Sequence, residues 1–369
     1  MKSMSRLLDR LWYGTPPAWM GILKIPLALA AGCYAAGQKI DRQLKLNRQK
    51  ALPRPVVSIG NVTVGGTGKT PMTIQLAEWL LDWGFHPCVL SRGYGAESKA
   101  ARQVDKDSWD WRQFGDEPLL IAKTLPGAWV YAGASRYEAG ILALQEHPDI
   151  DVFLLDDGFQ HRQLARDLDL VLVDGDRGFG NKHLLPLGPL REPLIALGRA
   201  DRVGAIFRGS SGSEPPESFP QADFQATLQP LGFRLIGESS HKSPFRNFDT
   251  TTQENLLPGP VHLFSAIGSP QGFRDTVSGL GIEIEGETIF PDHHPFTEQD
   301  ISRVLDKCRK RKVIPLTTAK DEIRLVKYKS LWTQGPVPII MEVGLKFGDG
   351  EHNLTNALKK ILQGGRRDP

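Results

Sequence analysis

The sequence predicts an α/β protein: a doubly wound, parallel sheet of the phosphate-loop type, followed by a second, smaller α/β domain. Three observations predict it. From Pro55 onward, short runs of β-branched and aliphatic residues alternate with stretches of helical periodicity. A glycine-rich segment ending in Gly68-Lys69-Thr70 separates the first strand-like run from the first helix-like one. A later apolar run, Val152-Phe153-Leu154-Leu155, ends in two carboxylates, Asp156 and Asp157.

Taken in order, residues 56–60 read as a strand and 70–83 as a helix. Residues 88–91 form a strand, 117–124 a helix, 129–132 a strand and 136–146 a helix, before strands at 152–155 and 170–174. Strands this apolar along their whole length fit a parallel sheet covered on both faces, since an exposed face would show alternating polar residues. Residues 208–220 (RGSSGSEPPESFP) are the clearest linker. The strand–helix alternation resumes at 262–266, 272–280, 284–290, 298–310 and 313–317. The expected organisation is therefore a helical arm over 1–54 and a phosphate-loop domain over 55–207. A linker-like segment at 208–224, a smaller α/β domain over 225–350 and a C-terminal helix and tail over 351–369 complete it. No internal repeat is present, and the last residues, 364–369, are expected to be disordered.

The charge is unevenly placed. The 369 residues hold 45 basic and 42 acidic side chains, a net +3. Residues 1–54 carry ten Lys/Arg against two Asp, a local +8, which leaves 35 basic against 40 acidic residues, or −5, for the rest. That arm is also the most apolar part of the chain. Neither of its uncharged stretches, 11–23 and 25–38, reaches the ~20 residues a membrane-spanning helix needs, and joining them would place Lys24 and Pro26 near the bilayer centre. A secretory signal fits poorly with Pro16-Pro17, Lys24 and the basic run that follows. That run, Lys39, Arg42, Lys45, Arg48, Lys50 and Arg54, favours an interfacial helix with apolar side chains inserted and basic ones on anionic headgroups. A solvated helix covering a core is the competing reading. Three widely separated cysteines, Cys33, Cys88 and Cys308, form neither a disulfide framework nor a zinc site and suit a reducing compartment.

The segment Val56 through Thr70 carries the strongest chemistry. Its end matches the phosphate-loop pattern GxxxxGK[ST], except that Thr63 stands where the first glycine falls. Gly65 and Gly66 still supply the backbone freedom an amide cradle requires. A strand before and an amphipathic helix after would place the helix N-terminus at bound phosphates. Thr63, Val64, Gly65, Gly66, Thr67 and Gly68 would line an ATP site, Lys69 would neutralise the β and γ phosphates, and Thr70 would ligate Mg²⁺. Asp156 and Asp157 supply the acids such a loop needs, one for the metal and one to orient it.

Phosphate loops serve switches, motors, translocases and small-molecule kinases. A guanine-reading NKxD is missing, since Asn181-Lys182-His183-Leu184 lacks the Asp. No DxxG is correctly spaced, and the acidic body offers no nucleic-acid surface. A membrane-attached nucleotide switch or metallochaperone-type NTPase is the alternative that remains.

Seven blocks occur in a telling order: GNVTVGGTGKTP from Gly60, LSRGYG from Leu90, GDEP from Gly115, LDDGFQHR from Leu155, LPLGPLREP from Leu185, FPDHHPF from Phe290 and TTAKD from Thr317. The chain resembles tetraacyldisaccharide 4′-kinase, the lipid A kinase of Gram-negative bacteria, from its apolar N-terminal helix to about Leu345. The resemblance implies two α/β domains with the active site between them. It implies transfer of the ATP γ-phosphate to the 4′-hydroxyl of an anionic glycolipid, tetraacyldisaccharide 1-phosphate, to give lipid IVA. It implies a peripheral position on the cytoplasmic face of the inner membrane. The sequence itself points to no nucleic acid and no obligate protein as partner. The family's catalytic carboxylate falls on Asp116 and its assisting histidine on His293. The metal-side acids fall on Asp156 and Asp157, and the residues handling substrate or phosphate charge on Arg92, Arg136 and Arg191. A carboxylate that accepts the proton of a weakly nucleophilic sugar hydroxyl is the expected device for such a transfer. Asp116 and His293 are 177 residues apart, so their pairing is expected to need closure of the second domain on the first.

Overall fold

The structure, a computed structural model, describes residues 2–15, 20–208, 222–238, 257–332 and 335–364. The Pro16-Pro17 break, most of the 208–220 linker and the tail beyond Gly364 lie outside these residues. The chain begins with two helices, α1 (Lys2–Tyr13) and α2 (Gly21–Leu46). The next elements are β1 (Val56–Asn61), α3 (Lys69–Asp82), β2 (Pro87–Ser91), β3 (Arg102–Gln103), α4 (Trp111–Phe114) and α5 (Asp116–Thr124). Then come β4 (Trp129–Ala132), α6 (Arg136–Glu146), β5 (Val152–Asp156), β6 (Leu168–Asp174), β7 (Arg202–Arg208) and β8 (Phe224–Leu235). The rest is β9 (Val261–Ser265), α7 (Pro270–Gly279), β10 (Ile284–Ile289), α8 (Glu298–Arg311), β11 (Ile314–Thr318), α9 (Ala319–Leu325), α10 (Lys329–Trp332), β12 (Ile339–Phe347) and α11 (Glu351–Gln363).

Among the described residues, all twelve strands join one sheet, in the order β10-β9-β11-β12-β8-β7-β6-β1-β5-β2-β4-β3. Two parallel groups, β7-β6-β1-β5-β2-β4 and β10-β9-β11, meet through the long antiparallel pair β8–β12. Register decides how they meet. The C-terminal end of β7, Arg208, lies beside Leu228 of β8, whereas the C-terminal end of β11, Thr318, lies beside Met341 of β12, opposite Phe233. The carboxyl ends of both groups thus converge on the middle of β8, where ligand sites of open α/β sheets form. Between these points Leu231 bulges out, with Pro230 opposite Val343 and Gly232 opposite Glu342. A bulge is where a strand tolerates proline, because one residue leaves the ladder there.

Buried aliphatic strands fill the space under the helices. β1, β5 and β6 are buried at every position, and α3 buries Met72, Leu76, Ala77 and Leu80 against them. One close approach depends on a missing side chain. A Cβ on Gly60 would lie 2.5 Å from the Phe159 Cβ and 2.6 Å from its backbone nitrogen. Gly60→Ala should therefore destabilise the fold by about 1–3 kcal/mol, read as a lower urea midpoint. An unchanged midpoint would show that the segment after β5 can shift at no cost.

The arm behaves differently along its length. α1 is seated on the body: Leu11 is buried, Trp12 Nε1 donates to the Pro186 carbonyl at 3.1 Å, and Arg177 pairs with Asp9 at 3.1 Å. α2 buries none of its residues, which removes the reading of a helix covering a core. The basic run also divides. The helix stops at Leu46, and beyond it Arg54 Nε donates to the Ile150 carbonyl at 2.8 Å while Lys50 lies over the Tyr137 ring. Those two cations belong to the body.

Candidate active site

The glycine-rich loop joins the end of β1 to the start of α3. Gly65 and Gly68 take φ of 113° and 78°, a left-handed region that costs glycine nothing. Side chains at Gly65 or Gly66 would meet nothing within 4 Å, so this stretch of backbone faces open space beside the unpaired amides of the α3 N-terminus. Its base is tied down. Asn61 Nδ2 donates to Thr67 Oγ1 at 2.9 Å, the Val64 amide donates to the Pro189 carbonyl at 2.9 Å, and the Arg191 amide to the Val62 carbonyl at 2.7 Å. Thr63 is buried in a bridge with Leu190. Among the loop residues expected to line the site, Thr63, Val64 and the buried Thr67 thus anchor the loop in this conformation, Gly68 packs beside Ile206, and Gly65 and Gly66 present its open edge.

The two acids after β5 hold different positions. Asp157 is held at φ 49°, with Lys69 Nζ at 3.6 Å and Arg191 Nη1 3.1 Å from both its oxygens. Burial would raise its carboxyl, but the charges of Lys69 and Arg191 outweigh that and hold it below the usual range. Asp156 is fully enclosed and accepts from Thr73 Oγ1 at 3.1 Å. Burial, then the negative charges of Glu117 and Asp157, push its carboxyl upward. Arg136 is buried at the first turn of α6, where burial and the like charge of Arg92 lower its guanidinium to about 10. Arg92 itself is exposed.

Asp116 opens α5, directly after Gly115, whose φ is 90° and whose Cβ would sit 2.9 Å from the Tyr94 carbonyl. Glycine is required there on both counts. His293, at φ 57° in the loop after β10, donates its amide to the Ala266 carbonyl and places Nδ1 2.8 Å from Asp116 Oδ2. The pair expected to form on closure is already assembled in this conformation. Burial opposes ionisation of Asp116, but the His293 hydrogen bond and the charges of Lys320, His293 and Arg324 hold its carboxyl low. The same hydrogen bond raises His293 above the ordinary imidazole value, against burial and Lys320. His294 is occupied elsewhere, 3.0 Å from Asp300 and stacked on Phe290. The glycine-rich loop is close by: a side chain on Gly268 would meet Asp292 Oδ2 at 3.2 Å and the Gly66 nitrogen at 3.8 Å.

Sequence reasoning missed the helix behind this pair. α9 brings Lys320 Nζ to 3.0 Å from Glu117 Oε1 and 3.4 Å from His293 Nε2. It also buries Arg324, whose Nη2 donates to the Ala266 carbonyl at 3.0 Å and to Asp321 Oδ1 at 2.7 Å, while its Nε lies 3.8 Å from Asp116 Oδ2. The TTAKD block was the available signal, but seven residues of helix carry no periodicity that says what they face.

Among the described residues no cluster of three or more His, Cys, Asp or Glu side chains is arranged to hold a metal alone. A hydroxyl at Thr70 with two carboxylates at 156 and 157 nevertheless suits a cation completed by phosphate oxygens and water, as Mg²⁺ sites at nucleotides are.

A family profile described as "Tetraacyldisaccharide-1-P 4'-kinase" matches residues 21–363. A tetraacyldisaccharide 4′-kinase from Chromobacterium violaceum is 38% identical over 323 residues, covering 87% of this chain and 88% of its own length. Another from Syntrophobacter fumaroxidans is 34% identical, covering 100% of this chain and 96% of its own. Among solved structures, that of the "apo" form LpxK from Aquifex aeolicus in complex with ATP is similar, with a TM-score of 0.67 and 31% identity. That match covers 92% of this chain and 99% of that one.

Proposed function

The chain belongs to the tetraacyldisaccharide 4′-kinase family, and from that membership we propose how its own residues divide the work. It is an ATP-dependent kinase of lipid A synthesis that phosphorylates the 4′-hydroxyl of tetraacyldisaccharide 1-phosphate to give lipid IVA. The nucleotide-switch alternative is not favoured by these relatives. In the proposed division, the open edge at Gly65 and Gly66, the backbone of Thr67 and Gly68 and the amides opening α3 cradle the ATP phosphates, and Lys69 faces the β and γ oxygens. Thr70, Asp156 and Asp157 would hold Mg²⁺, which when bound neutralises phosphate charge and orients the transferred group. Arg191 keeps Asp157 ionised and in place, and Arg136 with Arg92 supplies positive charge to phosphate or substrate. Asp116 accepts the 4′-hydroxyl proton, and His293 orients that carboxylate. The carrying observation is the 2.8 Å Asp116–His293 contact, formed across the converging strand ends and beside the phosphate loop. Incubation with ATP and the lipid disaccharide tests the reading. Phosphorylated lipid is expected, and acceptor-independent hydrolysis alone would overturn it.

The pair also sets a pH dependence. Its base is competent while His293 is neutral, and the Asp116 hydrogen bond raises the imidazole. The acid limb of kcat/KM should therefore lie above about 6.5, the ordinary imidazole value. His293→Gln should lower the maximum and move that limb down. A limb below 6 in the unaltered enzyme would separate His293 from the chemistry.

The two-domain division is read here as two α/β lobes sharing one sheet, with the cleft between their strand ends. α2 is proposed to lie in the interface of the cytoplasmic leaflet, where its substrate resides. None of the described helices is long and apolar enough to cross a membrane. Ile22, Ile25 and Leu29 are 78%, 70% and 70% exposed at one-turn spacing, an apolar stripe that headgroups and acyl chains would cover. Replacing all three with serine should weaken binding to anionic vesicles and raise KM for the lipid several-fold, with kcat on a short-chain soluble acceptor kept. Equal losses on both acceptors would show that the stripe serves the fold. Truncation through residue 38 is a poorer test, because Tyr34 and Gln38 both donate to the Arg191 carbonyl.

A further inference from the structure

We propose that Lys320 is a positioning residue for the Asp116–His293 pair: its ammonium group occupies His293 Nε2, fixes the imidazole as the Nδ1–H tautomer and keeps the pair free of an extra proton. The inference deepens the kinase reading above and rests on it.

The argument begins with donor inventory. An ammonium group has three N–H donors and no acceptor, and a neutral imidazole has one donor and one acceptor. Lys320 Nζ lies 3.4 Å from His293 Nε2, so Nε2 can meet it only as the acceptor. The ring proton then sits on Nδ1, 2.8 Å from Asp116 Oδ2, where it donates to a carboxylate. The opposite tautomer would turn a lone pair toward Asp116 and an N–H toward the ammonium, unfavourable at both ends. Lys320 is held for this task. Its Nζ donates to Glu117 Oε1 at 3.0 Å, and its side chain is 23% exposed.

The groups around His293 divide by sign. Asp116 and Glu117 come from α5, and Lys320 and Arg324 from α9, with Arg324 Nε 3.8 Å from Asp116 Oδ2. Asp292 comes from the histidine's own loop, with Oδ1 3.9 Å from Nε2. Tyr94 presents only its ring, 5.2 Å between centroids. At Nε2 the ammonium is nearer than the Asp292 carboxylate, and this ordering selects the acceptor role. A cation beside the imidazole also opposes its protonation, a contribution present in the balance that sets His293. The pair can therefore stay ready to accept the substrate proton at lower pH than it could without Lys320. The rival account is that Lys320–Glu117 merely staples α9 to α5.

Nitrogen-15 spectra of histidine-labelled full-length enzyme in detergent micelles, with His293 assigned by difference against His293→Gln, separate the two accounts. The unaltered enzyme should show a protonated Nδ1 and a bare Nε2 above its acid limb. Lys320→Met should move both the imidazolium transition and the acid limb of kcat/KM up by roughly one pH unit, while Lys320→Arg keeps both near their original positions. A protonated Nε2 in the unaltered neutral enzyme overturns the proposal, and so does a Lys320→Met limb that stays in place while thermal stability falls. Should Lys320→Met not fold, Lys320→Gln carries the same two readouts. Normal turnover by Asp116→Asn would defeat the reading of Asp116 as the base. The tautomer spectrum would still decide whether Lys320 sets the ring.

Discussion

Asp116→Ala should lower turnover by about 10²–10⁴-fold, the usual range for loss of a positioned general base, while nucleotide binding stays nearly unchanged. The asymmetry follows from geometry. Asp116 opens α5 and faces His293, Lys320 and Arg324, whereas the proposed phosphate cradle is the loop between β1 and α3. No hydrogen bond joins Asp116 to the loop residues 62–70 among those described. The substitution removes the acceptor for the hydroxyl proton and leaves the cradle intact. It also leaves His293 and Arg324 without their shared carboxylate, so stability must be measured beside activity. Asp116→Asn keeps the volume and isolates the charge. A loss smaller than about tenfold for the folded variant would remove Asp116 as the base.

Lys69→Ala should reduce kcat by about 10²–10³-fold and raise KM for ATP, as expected when a preorganised charge facing the transferred phosphoryl group is lost. Here the effect should appear in both parameters, because the ammonium meets charge present in the ground state and charge redistributed in the transition state. The fold should tolerate the change. The ion pair it breaks, Lys69–Asp157 at 3.6 Å, is partly exposed, and Arg191 still holds both oxygens of Asp157. Full activity in a folded Lys69→Ala protein would refute the phosphate-loop assignment. An effect on KM alone would confine Lys69 to nucleotide binding.

Much of the fold was legible where local rules act alone. Uninterrupted apolar runs became β1, β2, β5 and β6 at every position buried or nearly so, and the helices at 70–83, 117–124 and 136–146 were displaced by a residue at most. The ribbon β8–β12 was not found. Pro230 and Gly232 disguise β8, and its right to contain them comes from the bulge at its own Leu231, which only the pairing with β12 reveals. α9 is only seven residues long, too short for periodicity to reveal that Lys320 and Arg324, one turn apart, face the same pair. The basic run showed its charge but not its allegiance, since a cation bound to a backbone carbonyl, as Arg54 is, looks like any other in sequence.

The glycine-rich turn between β1 and α3 and the two acids at the end of β5 were legible in the sequence alone. A strand, a glycine-rich turn and a helix start are contiguous in the chain, and contiguity determines their geometry. The uneven charge is likewise a property of the sequence alone. Tertiary structure alone decided that Asp116 and His293 meet, that α9 stands behind them with two cations, and that α2 leaves its apolar stripe uncovered. Each depends on which strands pair and in what register. Burial energy shared across the whole sheet sets that register, and no local pattern records it.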